Sequence, residues 1–287
     1  MSDLGTFGVW WSGSWTAEGG APWEAAAELE AMGYRTLWSS GGFSDGFPSH
    51  FARLLDETTS VRVASGIVSI WKVAPDVASD AVAALETRHR GRFVFGLGAS
   101  HAPLVENYTR PYSRVVEYLD ALDAAPGGVR AQHRVLAALG PRMLTLAARR
   151  ALGAHPYFVP VEHTVRARQT LGTGPLLAPE VAVVLATDPS EARGLARRYA
   201  AVYLGLPNYT TNLRAFGFGD EDLAGGGSDR LIDAVVPWGD AARVADRVRE
   251  HVAAGADHVC IQVVADPAHF PLPAYRELAG ALSLAGR

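Results

Sequence analysis

The sequence predicts one α/β domain folded as a parallel (β/α)8 barrel, and three observations carry that expectation. First, an Ala-rich amphipathic stretch repeatedly runs into a glycine, after which a short β-rich run begins. Second, the runs VASGIVSI, FVFGLGA and VAVVLAT are apolar nearly throughout instead of alternating, which suits parallel strands covered on both faces. Third, eight candidate strands can be placed, the number that closes a barrel.

The repeated grammar is clearest at four places. Residues 23–32 lead to Gly33 and TLWSS, and residues 77–90 to Gly91 and FVFGLG; residues 141–152 lead to Gly153 and HPYFV, and residues 241–254 to Gly255 and HVCIQVV. A glycine just past a helix is the usual left-handed cap before a short αβ loop. In chain order the candidate strands are 6–11, 36–40, 61–70, 92–99, 134–139, 155–159, 180–187 and 258–264. Strand–helix alternation implies right-handed βαβ units. A doubly wound sheet would want GxGxxG after the first strand, where this chain has WWSGSWTAEGG. Between residues 200 and 233 the pattern loosens into LGLPNYTTNLRAFGFGDEDLAGGGSD, expected as helical pieces and a long loop with Gly225–Gly227 a mobile tip. That insertion precedes the last strand. No linker or repeat divides residues 1–287, so a single domain is expected, of a size at which such barrels fold alone.

Composition narrows the partners. A formal charge of −4, with no basic run, argues against a nucleic-acid surface. No apolar stretch approaches the ~20 residues needed to cross a bilayer, and the N-terminus MSDLGTFGVWW lacks a signal-peptide pattern. Cys260 is the only cysteine, which fits a reducing, cytoplasmic setting and excludes a cysteine-clustered metal site. Neither HxH nor HExxH occurs.

Barrel sites lie at the carboxyl ends of the strands. There the chain places Trp10 and Trp11 (Trp15 close behind), Trp38 with Ser39 and Ser40, Trp71, then Gly98 and His101. An aromatic rim with few carboxylates favours a flat, conjugated ligand. Gly98, the second glycine of GLGAS, allows close approach of a ligand or a neighbouring strand. Two turns suit a phosphate. Pro141 follows Gly140 where a helix should start, a place that offers free N–H groups beside Arg142. The turn PVEHT supplies Glu162, His163 and Thr164, with Thr164 also read as a helix N-cap. Arg142 and Thr164 are expected near one phosphate.

The segments ASGIVSIW, GRFVFGLGASHAPLVE, LGPRMLTLAARRALGAHPYFVPVEHT, LLAPEVAVVLATDPSEAR, LPNYTTNLRAFGF and GGSDRLIDAVVPWGD together resemble the luciferase-like flavin and deazaflavin enzymes. The resemblance is closest to the subgroup of probable coenzyme F-420-dependent oxidoreductases, and it runs over almost the whole chain. It implies a deazaflavin coenzyme that exchanges hydride with a small organic substrate. It further implies a non-prolyl cis bond at Gly66-Ile67 behind the ring, and phosphate contacts at Gly140, Pro141, Arg142, Glu162, His163 and Thr164. Ser39 and Ser40 stand beside the ring in place of the Asp-His of some relatives, and His101 stands where a glutamate often acts. Trp10, Trp11, Trp38 and Trp71 are then the substrate-side aromatics, and a homodimer is the family-like expectation. FMN with oxygen chemistry, and a flavin-binding barrel without catalysis, remain alternative readings.

Overall fold

The computed structural model describes residues 4–11, 22–41, 47–266 and 269–284. The strands are β1 (Phe7–Trp11), β2 (Thr36–Ser39), β3 (Arg62–Ser65), β4 (Val68–Ser69), β5 (Phe93–Gly98), β6 (Arg134–Ala137), β7 (Gly153–His155), β8 (Leu176–Leu177), β9 (Glu180–Leu185), β10 (Trp238–Gly239) and β11 (Val259–Val263). All pair in parallel, in the order β10-β9-β11-β1-β2-β3-β5-β6-β7-β8, with β4 on β5. Only Ala178 and Pro179 separate β8 from β9, so those two are one stave that pairs with β7 on one side and β11 on the other. The ring therefore closes with eight staves, β3 and β4 also forming a single one. The stave at β3–β4 is broken at Gly66-Ile67, whose peptide bond is cis, as is Phe47-Pro48.

The helices are α1 (Pro22–Ala31), α2 (Ser49–Asp56), α3 (Pro75–Arg88), α4 (Pro111–Ala124), α5 (Pro141–Arg150), α6 (Val161–Leu171), α7 (Pro189–Leu204), α8 (Pro207–Arg214), α9 (Asp220–Leu223), α10 (Asp229–Val235), α11 (Ala241–Ala253) and α12 (Leu272–Ala281). Pro75, Pro111, Pro141, Pro189 and Pro207 each open a helix, where the missing N–H costs nothing and the fixed φ is already helical. Asp188, Ser228 and Asp240 cap α7, α10 and α11 by accepting from the N–H of Glu191, Leu231 and Arg243.

Alternation along the strands separates two cores. Trp10, Trp38, Ala64 and Val94 are aligned across four neighbouring strands and pack inside the ring with Val135, Ala178 and Cys260. Val9, Leu37, Val63 and Phe93, one residue earlier, pack outward against the helices. No described helix is long and apolar enough to cross a membrane.

The sixth stave differs from the expectation of residues 155–159. Gly153 is not a helix cap but the first strand residue, because the strand passes so near its neighbour that a Cβ there would lie 1.9 Å from the Leu176 carbonyl oxygen. Pro156 cannot donate to the ladder and ends the strand. Residues 200–233 hold no long loop: α7 to α10 fill the segment, with a short 3-10 turn at Ala224–Gly226. Tyr209, Leu213, Phe218, Leu231 and Ile232 make a second core there, against Ala192, Ala196, Ala200 and Trp238. The two-residue strands β8 and β10 are too short to leave a pattern in the sequence.

Candidate active site

A cavity of about 650 Å³ opens at the carboxyl ends of the staves, between β3–β7 and a roof made by α7 and α8. Its inner end is built on Gly66. A Cβ there would lie 2.4 Å from Trp10 Nε1 and 3.0 Å from His155 Nε2, so only glycine leaves room beside both nitrogens at the cavity's inner end. Neither nitrogen has a hydrogen-bond partner, although both are buried. His155 Nδ1 lies 2.7 Å from the Ala178 carbonyl and donates to it, which leaves Nε2 a bare acceptor. Burial holds this imidazole neutral by pulling its pKa down to about 4. The inner end thus presents one N–H donor beside one nitrogen acceptor.

The walls are small and apolar. Ile67 and Ser69 come from the broken stave, Ala99 from the end of β5, and Ala137, Ala138 and Leu139 from β6 and its turn. Ser40 joins them at the end of β2. His101 stands on the rim with its Nδ1 3.1 Å from Asn208 Oδ1, so the ring donates to the amide and is held against α8. Burial lowers its pKa and the Asn208 bond partly offsets that.

The outer end is polar again. Gly140 and Pro141 begin α5, whose first N–H groups have no side-chain cap. His163, Arg166 and Thr170 follow on one face of α6, spaced three and four residues apart. His163 Nε2 donates to the Leu139 carbonyl at 2.9 Å, and Nδ1 is buried without a partner. Burial, with Arg166 nearby, brings its pKa to about 4. The Arg166 guanidinium lies 4.0 Å from the Phe216 ring centroid. Asn212, one turn beyond Asn208, adds an amide nitrogen that also has no partner.

The structure brings together Trp10, Ser40, Gly66, Ile67, His101, Gly140, Pro141 and His163 around this cavity. It places the other sequence candidates elsewhere. Trp11 and Ser39 follow inward-facing Trp10 and Trp38, so they turn outward: Trp11 packs on Phe270 at 5.1 Å and Ser39 is fully buried. Trp38 points inward but below the floor, stacked on His155 at 4.5 Å and donating to His258 Nε2 at 3.0 Å. Trp71 donates to the Ala99 carbonyl at 2.7 Å, outside the cavity. Gly98 serves strand packing, since a Cβ there would meet Ala137 Cβ at 2.7 Å. Arg142 is exposed, its guanidinium 4.3 Å from the Tyr112 ring centroid, and Glu162 is exposed on the outer side of α6. Thr164 is no N-cap: Pro160 holds that position, and the Thr164 hydroxyl, inside the helix, meets His251 Nδ1 at 2.8 Å. Arg142 and Thr164 therefore do not share a phosphate site. Trp15 and the tip of the second-strand loop lie outside the described residues.

Sequence reasoning missed Arg166, Asn208, Asn212, Tyr157, Tyr203 and Tyr209. A signal existed for some of them. Asn208 and Asn212 are four residues apart, as on one helix face.

The luciferase-like monooxygenase family model matches residues 20–258. The chain belongs to the luciferase-like monooxygenase family. No curated protein matches it by sequence. Solved structures share the luciferase-like fold at low identity. An F420-dependent secondary alcohol dehydrogenase in complex with an F420-acetone adduct superposes with a TM-score of 0.72 at 13% identity, over 98% of this chain and 99% of that one. The oxygenating constituent of 3,6-diketocamphane monooxygenase from Pseudomonas putida, in complex with FMN, gives 0.68 at 15%, over 96% and 95%. The coenzyme F420-dependent tetrahydromethanopterin reductase from Methanopyrus kandleri gives 0.64 at 16%, over 97% and 98%.

Proposed function

We propose that this family member is an oxidoreductase that binds coenzyme F420 in the cavity and transfers hydride to or from a small organic substrate. The observation that carries the reading is the polarity of the cavity. Partnerless nitrogens of Trp10 and His155 sit at the inner end and those of His163 and Asn212 at the outer end, with small apolar walls between. A flat ring with a polar edge, tethered to a phosphate, meets both sets. Buried polar atoms left unpaired cost about 1–3 kcal/mol each, so a ligand that satisfies them has a large advantage over water-free closure.

Once bound, the deazaflavin supplies a two-electron hydride equivalent. The protein's part is orientation. Trp10 would donate and His155 Nε2 would accept at the ring's polar edge, with Ile67 and Ser69 beside it. Gly140, the free N–H groups of α5 and Arg166 would hold the phosphate. His101, its proton kept on Nδ1 by Asn208, stands on the substrate side with Ser40. Exposed Arg166 on α6 places positive charge at the outer end of the cavity, where the anionic tail of F420 would run and where FMN has none.

Parallel fluorescence titrations of the whole protein test the reading. F420 should bind at least about tenfold more tightly than FMN, a difference of about 1.4 kcal/mol. FMN binding equally well or better would overturn the coenzyme assignment.

A further inference from the structure

A second polar cluster lies behind the cavity wall, around a carboxyl that the site does not touch. Glu180, the first residue of β9, is 1% exposed. One carboxyl oxygen accepts the Phe158 N–H at 3.3 Å and the other lies 3.3 Å from the Tyr199 hydroxyl. Tyr199 Oη is 3.0 Å from Tyr157 Oη, which is 2.8 Å from Tyr203 Oη and 2.7 Å from Gln262 Oε1. Tyr199 is behind the wall, but Tyr157 and Tyr203 both line the cavity. An unbroken chain of hydroxyls therefore links a buried acid to the ligand site.

We propose that Glu180 stores the proton that the cavity's reaction needs and passes it through the hydroxyls of Tyr199, Tyr157 and Tyr203. This rests on the hydride-transfer reading, because a carbonyl or alkene that takes a hydride must also take one proton. The proton on Glu180 moves to Tyr199 Oη, Tyr199 gives its own to Tyr157, Tyr157 turns its hydroxyl from Gln262 Oε1 to Tyr203 and gives its proton there, and Tyr203 gives its own to the ligand atom in the cavity. One proton leaves the carboxyl and one arrives at the site, each hydroxyl ends neutral, and after product leaves a proton from water entering the cavity returns along the same hydroxyls to the carboxylate.

The surroundings suit a store. The titratable groups that face Glu180 are Tyr157, Tyr199 and Tyr203, then Tyr209 from α8, Cys260 from β11 and Tyr275 from α12. No cation pairs with it among the described residues. Burial therefore dominates and raises the carboxyl to about 8, against weaker opposing bonds from Phe158 and Tyr199. The tyrosines are pushed upward as well, so they relay protons without ionising. A purely structural acid would only hold the Phe158 N–H, at a residue whose φ is +54°. That role would not require three hydroxyls in line to the cavity.

The test needs no coenzyme: refusal of F420 in the titrations would overturn the coenzyme assignment and with it the use made of the proton, whereas the spectra decide separately whether Glu180 holds a proton and passes it along the hydroxyls. Infrared spectra of the whole protein should show a protonated carboxylic acid that persists to about pH 8 and is lost in Glu180→Gln. Should that variant not fold, isotopic labelling of glutamate identifies the band, since Glu180 is the only fully buried glutamate among the described residues. On transfer to D2O the band should exchange at least about tenfold more slowly in Tyr203→Phe and Tyr157→Phe than in the parent, as expected when a positioned proton carrier is removed. Tyr209→Phe, on the same wall but outside the chain, should leave the rate unchanged. Loosened packing would speed exchange, so slowing reports a cut relay. A carboxyl already ionised at pH 7, or exchange equally fast in Tyr203→Phe, would overturn the proposal.

Discussion

Replacing Gly66 by alanine isolates the inner end of the cavity. The new Cβ would stand 2.4 Å from Trp10 Nε1, 3.0 Å from His155 Nε2 and 3.3 Å from Trp10 Cε2. Ordinary carbon contacts lie at about 3.5–4.0 Å, so the indole must withdraw by about 1 Å. It has little room: Trp10 is 3% exposed, meets Tyr157 edge-on at 5.2 Å and packs in the barrel beside Trp38. Overpacking of this kind costs about 1–3 kcal/mol, and a stiffer unfolded chain returns about 0.4–1 kcal/mol. The net destabilisation of about 1–2 kcal/mol corresponds to a Tm lowered by roughly 2–8 °C. The methyl also covers both partnerless nitrogens, so coenzyme affinity should fall at least about tenfold, or about 1.4 kcal/mol. Thermal unfolding with and without coenzyme, together with a fluorescence titration, reads both effects. Parent-like Tm and parent-like affinity in Gly66→Ala would show that Trp10 and His155 do not frame the ligand.

Arg166→Ala should weaken coenzyme binding by about 1.5–3 kcal/mol if its guanidinium bonds the phosphate. Arg142→Ala should cost less, since that side chain lies on Tyr112; a larger loss from Arg142 in the same titration would reverse the assignment. His155, His163 and His251 are buried with pKa values depressed to about 4, about 4 and about 3. An unfolded chain takes up protons on all three below about pH 6.5 while the folded chain does not, so stability should fall as pH drops from about 6.5 toward 4. At pH 5 each contributes a loss of about 2 kcal/mol, measurable as a fall in urea midpoint, and a midpoint flat from pH 6.5 to 5 would contradict the burial of these rings. Glu180 acts in the opposite sense. Its folded pKa is raised from 4.5 to about 8, so its contribution is present at low pH and lost as pH rises across that interval. Glu180→Gln should therefore gain stability relative to the parent between pH 5 and 8, and a pH-independent difference would place an ionised carboxylate there.

The barrel was legible because its signals are local and repeated. Glycine after each Ala-rich helix and continuous apolar runs mark buried parallel staves, and β1, β2, β3–β4, β5, β6, β9 and β11 fall within the expected spans. The sixth stave was misplaced because Gly153 has two physical uses, helix cap and close strand contact, and the sequence does not distinguish them. The site was half legible for a related reason. Residues at strand ends reach the cavity only on one parity, which separates Trp10 from Trp11 and leaves Ser39 turned away. Depth removes another: Trp38 has the right parity but lies one layer below the floor, against His155. Thr164 and Arg142 failed on helix phase, one residue in the wrong direction turning a side chain by about 100°. Arg166, three residues after His163, has the phase that Thr164 lacks.

The division of labour around the cavity follows from which groups can change charge. Ser40 ends the second stave at the cavity and Ser39 faces away, so that strand can position but cannot exchange a proton near neutral pH. His155 and His163 are kept neutral by burial and each spends one nitrogen on a backbone carbonyl. They are recognition groups. In the proposed reaction proton handling then falls to His101 and to the tyrosine chain, and both are positioned by the helical segment before the last stave. Asn208 of α8 fixes His101, while Tyr199 and Tyr203 of α7 connect Glu180 to the cavity. The same segment supplies Asn212 and Phe216 to the outer end. On the proposed function the barrel staves would set where the ring lies, and α7–α8 how protons reach the substrate. Substitutions at Asn208 or Tyr203 should change turnover and substrate preference while leaving coenzyme affinity within about threefold, about 0.6 kcal/mol. Loss of coenzyme affinity in both variants would mean that α7 and α8 hold the ring itself, and the division between staves and roof would be wrong.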